Sequence, residues 1–333
     1  MAPGLTSATP PPLSSGRELE DISDQIDAIN VLLSSPTPTA TTATTEDSNP
    51  KSNFRQYVSA SPQVKALYRE QHEKQTVEYN LAARKAFHSN VRARMGIWEA
   101  MEKLNTLIDE SDPDTSLSQI QHLLQTAEAM RRDGKPKWMQ VTGLIHDLGK
   151  LLFFFGAQGQ WDVVGDTFPG GPCSPLLGCA FDPRIILSES FSQNPDSKHP
   201  IYSTEMGIYA PHCGLDNLLL SWGHDEYLYH VVKDQSSLPD EALAMIRYHS
   251  FYPWHREGAY RRFMNQKDWQ MLEAVKEFNP YDLYSKSDAP PVVGELKVVS
   301  FMTDHSLTGG GGCAQSYYIE LIDEFFPKKV LDW

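Results

Sequence analysis

Gly143-Leu144-Ile145-His146-Asp147-Leu148-Gly149-Lys150 is the stretch on which the reading of this chain turns. It sets an imidazole beside a carboxylate in a run that reads as helix from about residue 138 to residue 155. Adjacent helical side chains splay by about 100°, so both can approach a site from one helix. Such a pair is one half of a carboxylate-bridged metal centre. The dipeptide alone is a weak signal: with 11 His in 333 residues roughly one arises by chance, and His224-Asp225 is a second. What gives it weight is the company it keeps.

Working outward, the neighbouring segments are helical as well. Residues 62–96 contain no internal Pro or Gly and are rich in helix formers, which predicts one or two helices. Another starts at Ser116 or Ser118 as N-cap, carries Leu117, Ile120, Leu124 and Ala127 on one face and stops by Gly134, with His122 in its middle. Helical pattern returns over about 216–233, again from Pro239 through His249 to a stop at Pro253, and over 268–278 before Asn279-Pro280-Tyr281-Asp282. Residues 156–200 hold many Gly and Pro without a helical period, which predicts a long irregular excursion that acts as a lid. No alternating pattern overrides these helices, so the expected fold class is all-α.

Composition limits the partners. A formal charge of -14 repels phosphate backbones and anionic membrane surfaces, so neither nucleic acid nor membrane is an expected partner. The basic residues Arg131, Arg132, Lys135 and Lys137 read as a solvated helix end. Cys173, Cys179, Cys213 and Cys313 form no C-x-x-C and read as reduced thiols, which places the protein in the cytoplasm. The longest apolar run, residues 151–155, is far too short to span a bilayer, and the N-terminus lacks the pattern of a signal peptide. Residues 1–50, dominated by Ser, Thr, Pro and Ala, bury too little apolar surface to order, although Ile22, Ile26, Ile29 and Leu33 fall at helical spacing. A single domain is expected over 51–333, as a monomer.

His122, His146, Asp147, His224, His249 and Asp282 all fall in predicted helices or at their ends. Four imidazoles and two carboxylates suit two first-row metals such as Fe or Mn, whereas a structural zinc site would more often recruit Cys. Asp147 can reach both metals through its two oxygens. Taken one at a time, each residue has a plainer explanation: His122 and His249 as hydrogen-bonded core residues, Asp282 as a helix cap. Together they indicate a metal-dependent helical enzyme, with hydrolase and oxygenase both open.

Longer strings narrow this. His122-Leu123-Leu124-Gln125-Thr126-Ala127-Glu128, the 143–150 stretch, Val163-Val164-Gly165-Asp166-Thr167-Phe168-Pro169, Tyr209-Ala210-Pro211-His212-Cys213-Gly214-Leu215-Asp216, Ser221-Trp222-Gly223-His224-Asp225-Glu226-Tyr227, Arg247-Tyr248-His249-Ser250-Phe251-Tyr252-Pro253-Trp254-His255 and Phe278-Asn279-Pro280-Tyr281-Asp282-Leu283-Tyr284 resemble, in this order, the myo-inositol oxygenase family. The resemblance covers about residues 54–286 and resumes near Ser316. It implies an HD-domain-like helical bundle around a di-iron centre that cleaves the C1–C6 bond of myo-inositol with O2 to give D-glucuronate and water. By the same matching, His122, His146, Asp147 and Asp282 ligate one iron, and Asp147, His224 and His249 the other. The family's pair is mixed-valence Fe(II)/Fe(III), and no nicotinamide or flavin is required. Substrate contacts implied are Arg55, Asp109, Glu110, Ser111, Lys150, Gly165, Asp166, His249, Ser250 and Lys286, with Lys150 and Asp147 catalytic. Asp225, His212 and His255 are not ligands in that pattern.

Two other readings compete with this one. An HD-type phosphohydrolase would use a similar centre to activate water, and would want Arg or Lys around a dianion. An HD domain kept as a binding module would not need all six ligands. Residues 297–315, with four consecutive Gly from Gly309, have no counterpart in the family pattern and are expected to form an irregular insertion, for which a translated retained intron is one hypothesis. His305 is then a non-ligand, and a closing helix is expected over 317–326.

Overall fold

The computed structural model of the chain describes residues 60–109, 111, 118–170, 182–284 and 314–333. The Ser/Thr/Pro tail and most of the 297–315 stretch, His305 included, lie outside the described residues. Helix α1 (Pro62–Lys74) begins where the Ser61 hydroxyl accepts the Val64 N–H at 3.2 Å, with Pro suited to the first turn. Helix α2 (Val77–Ser89) begins likewise at Thr76, whose hydroxyl accepts the Tyr79 N–H at 3.0 Å. Strand β1 (Arg94–Met95) and helix α3 (Ile97–Leu104) follow. Helix α4 (Gln119–Arg132) uses Ser118, the second of the two expected starts, and the Gln121 side chain accepts the Ser118 N–H at 3.2 Å.

Helix α5 (Lys137–Ile145), a 3-10 helix (Leu148–Phe155), α6 (His224–Val232), α7 (Asp240–Tyr248), the short α8 (Tyr252–His255), α9 (Gln266–Tyr284), α10 (Ala314–Phe325) and strand β2 (Leu331–Asp332) complete the order. The all-α expectation holds: the strands are two residues long and pair antiparallel, Arg94 with Asp332 and Met95 with Leu331. No helix among the described residues is long and apolar enough to cross a membrane.

The main core explains how the site is held. Ile120, Leu123, Leu124 and Ala127 of α4 pack with Val141, Leu144 and Ile145 of α5, and Leu148, Leu151 and Leu152 of the 3-10 helix pack with Tyr227, Leu228 and Val231 of α6. Each large side chain so buried contributes roughly 1.5–3 kcal/mol. Helices α4 and α5 meet at Gly143, where a Cβ would stand 2.9 Å from Met130 Sδ and 3.2 Å from Thr126 Cγ2. Two helices that close carry His122 and His146 to each other.

Three expectations need correcting. The helix predicted over 138–155 is broken: α5 ends at Ile145, and Asp147, at φ -93° and ψ 0°, leads into a 3-10 helix. Tertiary packing drives the break, because a Cβ on Gly149 would lie 1.9 Å from the His224 carbonyl oxygen. The helix predicted over 216–233 is a 3-10 turn (Leu215–Asn217) followed by α6 from His224; the chain between is drawn off by pairing, with Ser221 N–H on the Phe168 carbonyl at 2.7 Å. Helix α9 runs through Pro280 to Tyr284, so Asp282 sits inside its last turn instead of beyond the helix. Within the 156–200 excursion, the described residues 156–170 and 182–200 hold no α-helix, only short 3-10 turns such as Ser188–Gln193. Its described part is nevertheless packed: Val163, Val164, Phe168 and Phe191 are buried, and His72 of α1 stacks on Phe191 with ring centroids 3.9 Å apart.

Candidate metal centre

His122 comes from the middle of α4, His146 and Asp147 from the break between α5 and the 3-10 helix, His224 from the start of α6, His249 from the residue after α7, and Asp282 from the last turn of α9. All six are buried. On one side, His122 Nε2 lies 3.2 Å from His146 Nε2, 3.3 Å from Asp147 Oδ2 and 3.2 Å from Asp282 Oδ1. His146 Nε2 is 3.3 Å from the same Asp282 oxygen. On the other side, His224 Nε2 and His249 Nε2 each stand 3.6 Å from Asp147 Oδ1. The two oxygens of Asp147 thus face two different groups.

The protons on three of these rings follow from their partners. His146 Nδ1 meets the Gly143 carbonyl at 2.9 Å, His224 Nδ1 the Val163 carbonyl at 2.8 Å and His249 Nδ1 the Ile246 carbonyl at 3.1 Å. A carbonyl only accepts, so each Nδ1 carries the hydrogen and each neutral ring turns its Nε2 lone pair inward. In these three neutral rings the Nε2 lone pairs then face carboxylate oxygens, an arrangement that cations resolve. Ligand atoms about 2.1 Å from a shared ion and at right angles to each other stand about 3.0 Å apart, close to the separations seen here. The nitrogen and oxygen donor set fits a pair of first-row metals.

The electrostatics agree. Burial pushes the Asp147 carboxyl up, but the Lys150 ammonium and the facing imidazoles outweigh it and hold that carboxyl well below the usual range. Burial depresses both His122 and His146; Asp147 and Asp282 overcome it at His122, which is raised, and fail to do so at His146, which stays lowered.

Beside the candidate ligands lies a cavity, partly open to solvent, lined by Tyr68, Asp109, Ser111, Asp147, Lys150, Gly165, Asp166, His224, His249, Ser250, Tyr252 and Asp282. Lys150 Nζ is 2.8 Å from both Asp109 Oδ2 and Asp147 Oδ2. A continuous α-helix would have set Lys150 over His146, four residues back. In the 3-10 helix, residues three apart eclipse, so it lies over Asp147. Burial raises the Asp109 carboxyl, yet Lys150 and the Ser111 hydroxyl, 2.6 Å away, bring it down to about 2.

Gly165, at φ +95°, adopts a left-handed turn that passes against the Gln71 amide, and Gln71 Nε2 donates to the Val164 and Asp166 carbonyls at 3.1 and 3.3 Å. Tyr68 donates its hydroxyl to Asp166 Oδ1 at 3.2 Å. Tyr68, Gln71 and Tyr252 were not picked out in the sequence; Tyr68 and Gln71 lie on the buried face of α1 with Val64 and Leu67. Arg55, Glu110 and Lys286, all expected at the substrate, lie outside the described residues.

Asp225 is closer to the centre than the sequence suggested. Its Oδ1 stands 2.8 Å from His224 Nε2 and 3.3 Å from His249 Nε2. His255, buried, reaches the His249 carbonyl through Nε2 at 3.0 Å, and His212 meets the Met264 carbonyl at 3.0 Å.

Residues 61–304 match the family model described as myo-inositol oxygenase. The chain belongs to the myo-inositol oxygenase family. Curated members of the family are similar over most of their length: "Inositol oxygenase" of Dictyostelium discoideum is 45% identical over 284 residues, covering 83% of this chain and 89% of that protein. "Inositol oxygenase 1" of Arabidopsis thaliana is 45% identical over 284 residues, covering 83% of each. "Inositol oxygenase" of Rattus norvegicus is 43% identical over 287 residues, covering 85% and 92%. The myo-inositol oxygenase match contains all six converging residues and ends inside the 297–315 stretch.

Proposed function

We propose that this chain is an inositol oxygenase that cleaves the C1–C6 bond of myo-inositol with O2, giving D-glucuronate and water. Asp147 carries the reading: one buried carboxylate faces two separate groups of imidazoles through its two oxygens. His122, His146, Asp147 and Asp282 would hold one iron, and Asp147, His224 and His249 the second. The pair, in the mixed-valence Fe(II)/Fe(III) state, would supply Lewis acidity at substrate oxygens and the redox capacity to use O2.

The chain's own groups do the rest. A neutral hexol offers hydroxyls all round its ring, and Asp109, Ser111, Lys150, the Gly165-Asp166 turn and Ser250 line the cavity with matching donors and acceptors. Arg55, Glu110 and Lys286 belong to the same proposed set. Lys150 keeps a positive charge at the cavity wall, where a substrate hydroxyl losing its proton gains from it. Tyr68 and Gln71 hold Asp166 in place. One oxygen atom enters the product and the other leaves as water, so the four electrons from the substrate balance O2 reduction without nicotinamide or flavin.

A phosphohydrolase is disfavoured by the cavity's charge. Lys150 is already paired with Asp109 and Asp147, and Asp166 and Asp282 add two more carboxylates to the lining that a phosphate dianion would face. The test is to load the protein with Fe(II) anaerobically, add myo-inositol and limiting O2, and count glucuronate against O2. One per O2 without added reductant supports the proposal; no product from iron-loaded protein contradicts it. The family's HD-type fold, a cytoplasmic location and a monomeric state are proposed with it.

A further inference from the structure

Asp225 is buried, adjoins a candidate ligand and has no part in the scheme above, yet both its oxygens are committed. Oδ2 accepts the Ser250 backbone N–H at 3.1 Å and the Thr167 hydroxyl at 3.1 Å. Oδ1 accepts the Ser250 hydroxyl at 3.2 Å. The Thr167 N–H, in turn, donates to the Ser250 carbonyl at 2.9 Å. One carboxylate therefore ties together the 165–167 turn, the start of α6 and the 249–250 segment.

The Ser250 hydroxyl has one proton. Its neighbours are Asp225 Oδ1 and, also at 3.2 Å, His224 Nε2, whose lone pair is turned toward the metal centre by the Nδ1 bond to Val163. With the proton committed to Asp225, the oxygen of Ser250 can only accept from the cavity. We infer that Asp225 is a positioning residue that fixes the polarity of Ser250, making it an obligate acceptor for one hydroxyl of the substrate. This rests on the proposed function in taking a polyol as the ligand.

Asp225→Asn inverts that polarity at nearly constant shape. The Ser250 N–H can only donate, so the amide oxygen must occupy the Oδ2 position, and the amide NH2 then faces the Ser250 hydroxyl. Ser250 accepts from Asn and turns its own proton to the cavity.

The experiment measures affinities of the iron-loaded, anaerobic protein for myo-inositol and for each of its monodeoxy-monofluoro analogues by calorimetry. Fluorine accepts and cannot donate. The wild type should penalise fluorine at the ring position facing Ser250 by about ten- to a hundredfold. D225N should bring that penalty close to one at this position while leaving the pattern at the others in place, and S250A should reduce it at the same position. An equal loss of affinity for every analogue in D225N, or the full penalty surviving in S250A, overturns the inference. A wild type that cleaves myo-inositol while the D225N ratio is unchanged overturns it alone, whereas a wild type that neither binds nor cleaves myo-inositol overturns the functional reading and this inference with it.

Discussion

Asp147 and Lys150 are three residues apart in the chain and 2.8 Å apart in space, carboxylate to ammonium, because the helix that carries them is 3-10 and not α. An α-helix would have turned Lys150 toward His146. The break places one cation against the carboxylate that joins the two halves of the centre.

Lys150→Met should therefore lower kcat/KM for myo-inositol by about 100-fold or more, with the bound iron close to wild type. Steady-state kinetics together with iron analysis check it. Full activity would remove Lys150 from the chemistry.

Gly149→Ala sets a side chain where the His224 backbone already lies, a Cβ-to-oxygen separation of 1.9 Å. The 3-10 helix and α6 must separate, at about 1–3 kcal/mol or more. The expected outcome is a lower Tm and loss of the iron held by His224 and His249 before the other. Thermal melts and iron counts on one preparation read both.

Tyr68→Phe deletes the hydroxyl that donates to Asp166 Oδ1 and keeps the ring. KM should rise roughly three- to tenfold with kcat changed less, the size of one modest hydrogen bond. A kcat loss at constant KM would place Tyr68 in the chemical step instead.

His72 is buried away from the ligands, stacked on Phe191, with Nδ1 2.7 Å from the Ser190 hydroxyl. Burial lowers its pKa from 6.5 to about 3. The folded state therefore disfavours the protonated ring. Its contribution is intact above pH 6.5 and declines by up to about 1.4 kcal/mol per pH unit as the pH falls toward 3. In urea melts between pH 7 and pH 4, His72→Phe should flatten the acid slope by that amount; an unchanged slope would show that His72 takes up no proton on unfolding.

The six converging residues were legible as candidates because His146-Asp147 and the helical placement of His122, His224, His249 and Asp282 are local patterns. The break at Asp147 was not, since nothing in residues 138–155 forbids a continuous helix; the cause is the His224 backbone, 75 residues on. Residues 218–221 failed for a similar reason, drawn out of helix by pairing with the 168–169 segment. Tyr68, Gln71 and Tyr252 have the spacing of core residues, and only the fold shows that they border a cavity. Asp225 was set aside as half of a chance dipeptide, whereas its surroundings tie it to Ser250 and Thr167.

The central claim is that Asp147 joins two metal ions. The most direct measurement is anomalous scattering at the iron edge from a crystal of the iron-loaded protein. The account predicts two iron peaks flanking the Asp147 carboxylate, one beside His122, His146 and Asp282 and the other beside His224 and His249. A single peak, or two peaks on the same side of Asp147, would contradict it.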